Sequence, residues 1–239
     1  MTSPEQKLQA LHADRADAPV MSVSEAVASR RSIRDFTDTP VPYESLLRVM
    51  EKARLAPSGS NFQPWEATIL TGEPLQALHA KMRVSPMQQP LEYVIQPADI
   101  PAEYPERLAE TTAKQYESQG IAREDKDKRM AAIMRNIDSF GAPVLLLCYL
   151  PRVMGPPQWS DVGMWLQTVM LLLREEGLDS CPQEFLSMYG RLIKEHIGVS
   201  DETHIFFCGM GIGYRTDTQV NNFERSRVPL ERQVSFMGF

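Results

Sequence analysis

Cysteine is scarce: Cys148, Cys181 and Cys208 stand alone among apolar neighbours, and none makes a CxxC or Cys/His spacing suited to a metal. That excludes a disulfide scaffold and a zinc module, and reads as reduced, mostly buried thiols in a cytoplasmic protein. Histidine is equally sparse. His12, His79, His196 and His204 are widely separated, so structural or surface roles are expected of them rather than metal ligation. Long apolar runs are missing too. Val144–Leu150 and Val169–Leu173 fall far short of the roughly 20 residues that a membrane-spanning helix needs. The first residues, MTSPEQKLQALHADRADAP, lack a basic start followed by an apolar stretch, so no secretory leader is expected. Residues 1–20 read as a mobile or dimer-wrapping arm. Positive charge is not in excess: 25 Lys and Arg stand against 31 Asp and Glu, a net charge of −6. No broad cationic surface exists to hold a nucleic-acid backbone.

What remains is ample material for one core: 239 residues, 43% of them hydrophobic, consistent with a single domain over residues 21–239. Ser22-Val23-Ser24-Glu25 has the capping-box form, so a short helix is predicted through EAVASR. A second amphipathic helix is predicted over Pro42–Ala56, with Leu46, Leu47, Met50 and Ala53 at helical spacing and Pro42 in the first position. A strand is expected at Trp65–Leu70, then, after Gly72-Glu73-Pro74, a helix near Leu75–Met82. Residues 85–101 hold Pro86, Pro90, Pro97 and Pro101 with little periodicity, and read as a loop. A solvated helix pair is expected between Ala102 and Ser139, with Glu124/Lys128 and Asp125/Arg129 four apart on an exposed face. VLLLCYL after Pro143 has the length and continuity of a strand buried on both faces. Ser160 is the expected cap of a long apolar helix that Gly177 stops. A strand near Ser180–Leu186, a helix near Met188–His196 and a strand at His204–Met210 complete an α+β pattern. Gly209–Gly213 should follow that last strand and leads into YRTDTQ rather than a helix, which rules out a dinucleotide-binding fingerprint.

Three constellations carry chemistry. Arg30, Arg31, Ser32 and Arg34 place three guanidiniums within five residues. Permanently charged planar donors of this kind suit a phosphate, although the same cluster at a helix end would also serve as a solvated cap. Pro57-Ser58-Gly59-Ser60-Asn61-Phe62-Gln63-Pro64-Trp65 is a small, polar loop that a flat ligand can approach closely, or an ordinary helix-ending turn. Arg225 and Arg227 flank Ser226 near the C-terminus and alone would be a surface patch.

Read together, the three segments closely resemble the nitroreductase superfamily, whose members carry R-[RH]-S-x-[RK]-x-[FY], then P-S-[GS]-x-N-x-Q-P-W, then [KR]-x-R-x-P in that order. The resemblance spans roughly residues 22–234 and implies a mostly antiparallel sheet flanked by helices, with a C-terminal strand exchanged in a homodimer. It implies one FMN in each of two interfacial sites. Arg30, Arg31, Ser32 and Arg34 would hold the phosphate, ribityl chain and N1/O2 edge, with Arg227 and Arg225 completing the phosphate cradle. Pro57, Ser58, Gly59 and Asn61 would reach across from the other subunit, with Ser60 beside the substrate. Pro182, Gln183 and Glu184 match the segment that presents backbone amides to flavin N5 and O4, so no side chain need be catalytic. Residues 85–139 form the variable lid and substrate region; Tyr104 and Tyr116 within it, and Phe140 just after it, could pack the acceptor but are equally well core or lid residues.

The activity implied is ping-pong hydride transfer through FMN from NADH or NADPH to a small nitroaromatic or quinone-like acceptor. Gly59, Phe62 and Phe185 depart from the commonest family form, and SGSN is nearer the deiodinase-like branch. Deiodinase-like members clamp an amino acid with a Glu four residues before a Tyr. Here Tyr93, Tyr104 and Tyr116 are preceded at that offset by Gln89, Ile100 and Thr112, so the clamp is absent. Reductive dehalogenation, or a flavin-fragmenting or flavin-binding role on the same fold, stands as the alternative.

Overall fold

The computed structural model describes residues 21–239; the arm expected over 1–20 lies outside the described residues. A sheet of four strands forms the middle layer in the order β1-β2-β4-β3, every pairing antiparallel: β1 Glu66–Thr71, β2 Val144–Pro151, β3 Asp179–Gln183 and β4 His204–Gly213. One parallel bridge, Ser32 to Ser180, is added at the β3 edge. The helices are α1 Val23–Ser29, α2 Tyr43–Ala53, α3 Gly72–Val84, α4 Glu103–Glu117, α5 Lys126–Met134, α6 Pro156–Glu175, α7 Gly190–His196 and the short α8 Gln219–Asn222.

Strand β2 shows why the sheet lies at the centre. Its side chains alternate, as a pleated strand demands, so Val144, Leu146, Cys148 and Leu150 pack with α2 and α6 while Leu145 and Leu147 pack with α3 and α7. The continuous apolar run is therefore buried on both faces, as expected. Helix α6 brings Val162, Trp165, Leu166, Val169 and Leu173 to the first of these layers, and Gly177 at φ 75 ends its descent into β3.

Several boundaries differ from the sequence reading. Pro42 is the N-cap of α2 rather than its first residue, and the helix stops at Ala53. Helix α3 begins at Gly72, whose φ of 57 makes the corner directly from β1. Helix α6 starts at Pro156 with Gln158 reaching back to Gly155, so Ser160 sits inside the helix and its hydroxyl donates to the Pro157 carbonyl. Asp125 caps α5 and pairs with Lys128, while Arg129 turns back over Tyr116 instead of meeting Asp125. Strand β3 gives way at Glu184 to a 3₁₀ turn that runs to Tyr189. Gly209, Gly211 and Gly213 lie within β4, not after it. They belong there because Cβ atoms would press on Leu186, on Ala142 and on Pro143 respectively.

Residues 85–101 form a strap over the part of β4 that β3 does not cover. Tyr93 Oη donates to the Phe207 carbonyl at 2.5 Å and the Phe206 amide donates to Glu92 Oε2 at 3.3 Å. Glu92 also accepts from the fully buried Lys194 at 2.6 Å and from Arg152 at 2.7 Å. The strap thus occupies strand edge that would otherwise be unpaired.

Candidate active site

The capping box at Ser22 and Glu25 starts α1 as expected, and Arg30 leaves it with an extended ψ of 127. The chain then runs beside β3, where the Ile33 amide donates to the Ser180 carbonyl at 3.0 Å. Ile33 is fully buried with Phe36, Phe140 and Cys181, which holds the intervening Arg34 at the surface of the core. The C-terminal segment is fastened alongside: Arg31 Nη1 donates to the Phe223 carbonyl at 3.0 Å, and the Arg34 amide donates to Asn221 Oδ1 at 2.9 Å.

This arrangement gathers the two arginine motifs into one cluster. Burial, followed by the charges of Arg31, Arg30, Arg227 and Arg34, lowers Arg225 to about 10 from its ordinary 12.5. Burial and then Arg227 lower Arg30 as well. Among the described residues, no carboxylate lies in ion-pair contact with any of these five guanidiniums. Clustered cations without counter-charges, Arg30 and Arg225 among them partly buried, are costly, and the group that best relieves the five is a multivalent oxyanion such as a phosphate.

Support for the cluster comes from residues that the sequence reading missed. Asp179, buried at the start of β3, accepts from Arg174 Nη1 at 2.8 Å, from Arg215 Nε at 2.7 Å and from Arg215 Nη2. The same arginines hold Ser29, the residue before Arg30: Arg174 Nε donates to its hydroxyl and Arg215 Nη2 to its carbonyl. A carboxylate inside the short apolar run LDSCP was the available signal, since a buried charge requires partners.

The loop after α2 is strained. Ser60, Asn61 and Gln63 have φ of 52, 56 and 50, a region that side chains other than glycine seldom adopt. Ser58 Oγ accepts from the Gln63 amide at 3.0 Å, and the Gly59 amide donates to both oxygens of Asp161 at 3.1 and 3.2 Å. Asp161 lies in the first half of α6 and Arg174 near its end. Thirteen residues at about 1.5 Å each separate them by about 20 Å. The structure therefore brings Arg30, Arg31, Ser32, Arg34, Arg225 and Arg227 together in one chain, and puts Pro57, Ser58, Gly59, Ser60 and Asn61 at the opposite end of that helix.

Pro182 closes a cavity of about 390 Å³ that also touches Arg34, Thr112, Tyr116, Phe140 and Cys181. Gln183 is buried and its Nε2 donates to the Asn136 carbonyl at 2.9 Å, whereas Glu184 is exposed where the ladder ends. Phe140 and Tyr116 wall the cavity. Tyr104 does not: it is exposed and stacks with Arg107. Burial pushes the Cys181 thiol up, against the pull of Arg34 and Arg30, which suits a packing role. Among the described residues no group of His, Cys, Asp and Glu is placed to hold a metal, and no helix is long and apolar enough to cross a membrane.

A sequence model of the nitroreductase family matches residues 27–214. A 4-nitrobenzoate reductase of Pseudomonas putida is 37% identical over 217 residues, covering 89% of this chain and 94% of the relative. The crystal structure of the FMN- and NADPH-dependent nitroreductase NfnB from Sphigopyxis sp. strain HMH superposes with a TM-score of 0.87 at 45% identity, covering 92% of this chain and 100% of that one. The FMN-dependent nitroreductase NfnB of Mycobacterium smegmatis, solved with NADPH, gives a TM-score of 0.81 at 28% identity over 90% of this chain and 98% of that one.

Proposed function

This chain belongs to the nitroreductase family, and on that premise we propose that it is an FMN-dependent NAD(P)H oxidoreductase that reduces nitroaromatic or quinone-like compounds as a homodimer. The observation that carries the reading is the cluster of Arg30, Arg31, Arg34, Arg225 and Arg227, mutually repelling and without carboxylate partners among the described residues. Its chemistry fits the phosphate of FMN, and two solved relatives that share the fold, at 45% and 28% identity, are FMN-dependent by name.

When bound, FMN supplies two-electron transfer between NAD(P)H and the acceptor. The chain's own residues bind and orient. Arg30, Arg31, Arg225 and Arg227 hold the phosphate, with Ser32 as a neutral donor. Arg34, which links the cluster to the Pro182 cavity, serves the N1/O2 edge, where its positive charge favours electron-rich flavin. Pro182 and Gln183 close the β3 ladder opposite Met210 and Gly209, and Glu184 lies just beyond it, so the Glu184 backbone is the part available to the ring. Phe140 and Tyr116 offer an aromatic acceptor two walls of the cavity. Among the described residues, no carboxylate or histidine lines that cavity, consistent with protons drawn from solvent rather than from a dedicated acid.

Pro57, Ser58, Gly59 and Asn61, with Ser60 beside the acceptor, serve the flavin of the partner subunit. The separation of about 20 Å along α6 supports this, because one chain's loop and cradle stand apart at opposite ends of that helix. The C-terminal residues beyond Arg227, which expose Leu230, Phe236, Met237 and Phe239, are the part that would be exchanged.

An anaerobic titration tests the assignment. The purified protein should show a flavin spectrum that bleaches with NADPH or NADH and recovers on adding a nitroaromatic. A protein that takes up no FMN would overturn the reading; one that binds FMN but never bleaches would remove the reductase activity from it.

A further inference from the structure

Helix α6 grips both ends of the strained loop with one face. Asp161 and Trp165 are four residues apart and hence neighbours on the helix surface. Asp161 takes the Gly59 amide at the loop's start, and Trp165 stacks on Trp65 at its end, with ring centroids 6.0 Å apart and planes 3° apart. Between these anchors stand Ser60, Asn61 and Gln63 with positive φ.

Asp161 is the unusual half of this grip. Only 4% of it is exposed, yet among the described residues no cation is paired with it. Both of its oxygens turn to a single backbone N–H. A buried carboxylate is retained at considerable cost unless its hydrogen bonds are needed, and a neutral side chain would fill the same space in an apolar helix face. A charge-assisted bond to one amide is about twice as strong as a neutral one, and here it acts on a loop whose three left-handed residues persist only where their surroundings hold them.

We propose that Asp161 is a positioning residue for cofactor binding: its carboxylate fixes Gly59 so that residues 57–61 hold the conformation that meets the flavin. The inference rests on the assignment of that loop to FMN made above. It adds a residue from the core of α6 that touches neither cofactor nor acceptor and acts only through the Gly59 amide.

Three single variants and one double variant test it, with FMN affinity read by quenching of flavin fluorescence, folding by thermal melting of the FMN-free protein, and the visible circular dichroism of bound flavin as a reporter of its surroundings. Asp161→Ala should weaken FMN about tenfold or more, the size of a lost hydrogen bond to a charged group, and alter the flavin signal. Asp161→Asn keeps one acceptor oxygen and should recover most of the affinity. Gly59→Pro removes the donor and sets its ring Cδ where the amide hydrogen met the Asp161 oxygens at N···O distances of 3.1 and 3.2 Å, so the carboxylate must turn away from the loop. Proline is otherwise tolerated at the first position of a helical turn, and the one atom within 4 Å of an added Cβ is Asp161 Oδ2 at 3.8 Å. It should weaken FMN at least as much as Asp161→Ala. The double variant should cost little beyond the worse single one, because both changes break one bond.

If Asp161→Ala melts before it can be assayed, Gly59→Pro carries the test. Unchanged FMN affinity and flavin signal in that variant, or fully additive losses in the double variant, would overturn the proposal. Failure of the unaltered protein to bind FMN would instead strike the functional assignment.

Discussion

A guanidinium that stays charged beside four others works against the folded chain until an anion arrives. Arg225, lowered to about 10, is the residue where that tension concentrates. Inorganic phosphate should therefore raise the melting temperature of the FMN-free protein in a saturable way, and Arg225→Ala should blunt the response while weakening FMN about 10- to 100-fold by fluorescence quenching. His79 makes a separate contribution. It is buried against Ser139, and burial, outweighing the pull of Asp138, holds its pKa below 6.5. The unfolded chain takes up a proton as pH falls through that value while the folded chain does not, so stability is lost on acidification. Urea midpoints measured at pH 7.5 and 5.5 should fall further apart in the parent than in His79→Gln. The arginines were legible in the sequence because each motif is local, within residues 30–34 and 225–227. Asp179 and Asp161 were not, since their partners lie far away in sequence and only folding shows which donors they meet.

At the scale of elements, close backbone approach decides how β4 packs. A Cβ on Gly213 would stand 2.7 Å from Pro143 Cδ and 3.2 Å from Phe36 Cδ1, and a proline ring cannot swing aside. Gly213→Ala should destabilise the fold by about 1–3 kcal/mol, as overpacking of a filled core does, measurable as a lower urea midpoint with an unchanged slope. It should also loosen FMN, because Phe36 continues the segment that carries Arg34. The layers themselves were foreseen from periodicity: the unbroken apolar run of β2 and the wide stripe of α6 leave little choice. Element ends were harder. Ser160 is a good capping residue, but Pro156 followed by Gln158 offered an earlier start, and Gly209–Gly213 read as following the last strand until neighbouring elements showed that side chains would not fit there.

For the whole molecule, the proposed assignment of loop and cradle to different subunits makes each flavin site the property of two chains. Subunit exchange tests this directly. Arg227→Ala spoils the cradle and Asp161→Ala the loop, so each variant dimer should have both sites impaired, whereas a mixed dimer would hold one site with a sound cradle and a sound loop. Mixing the two variants under exchange conditions should restore activity toward half that of the parent in the mixed species. Activity that never rises above the average of the separate variants would place loop and cradle in the same subunit's site.

The strap over β4 has a different kind of consequence. Glu92 and Tyr93 fasten it through side chains, so its attachment depends on a few chemical groups and not on a continuous backbone ladder. Sequence between Pro97 and Arg135 can lengthen, shorten or change character without shifting the register of any strand. The cover of the Pro182 cavity is thus an exchangeable cassette on an unchanged platform.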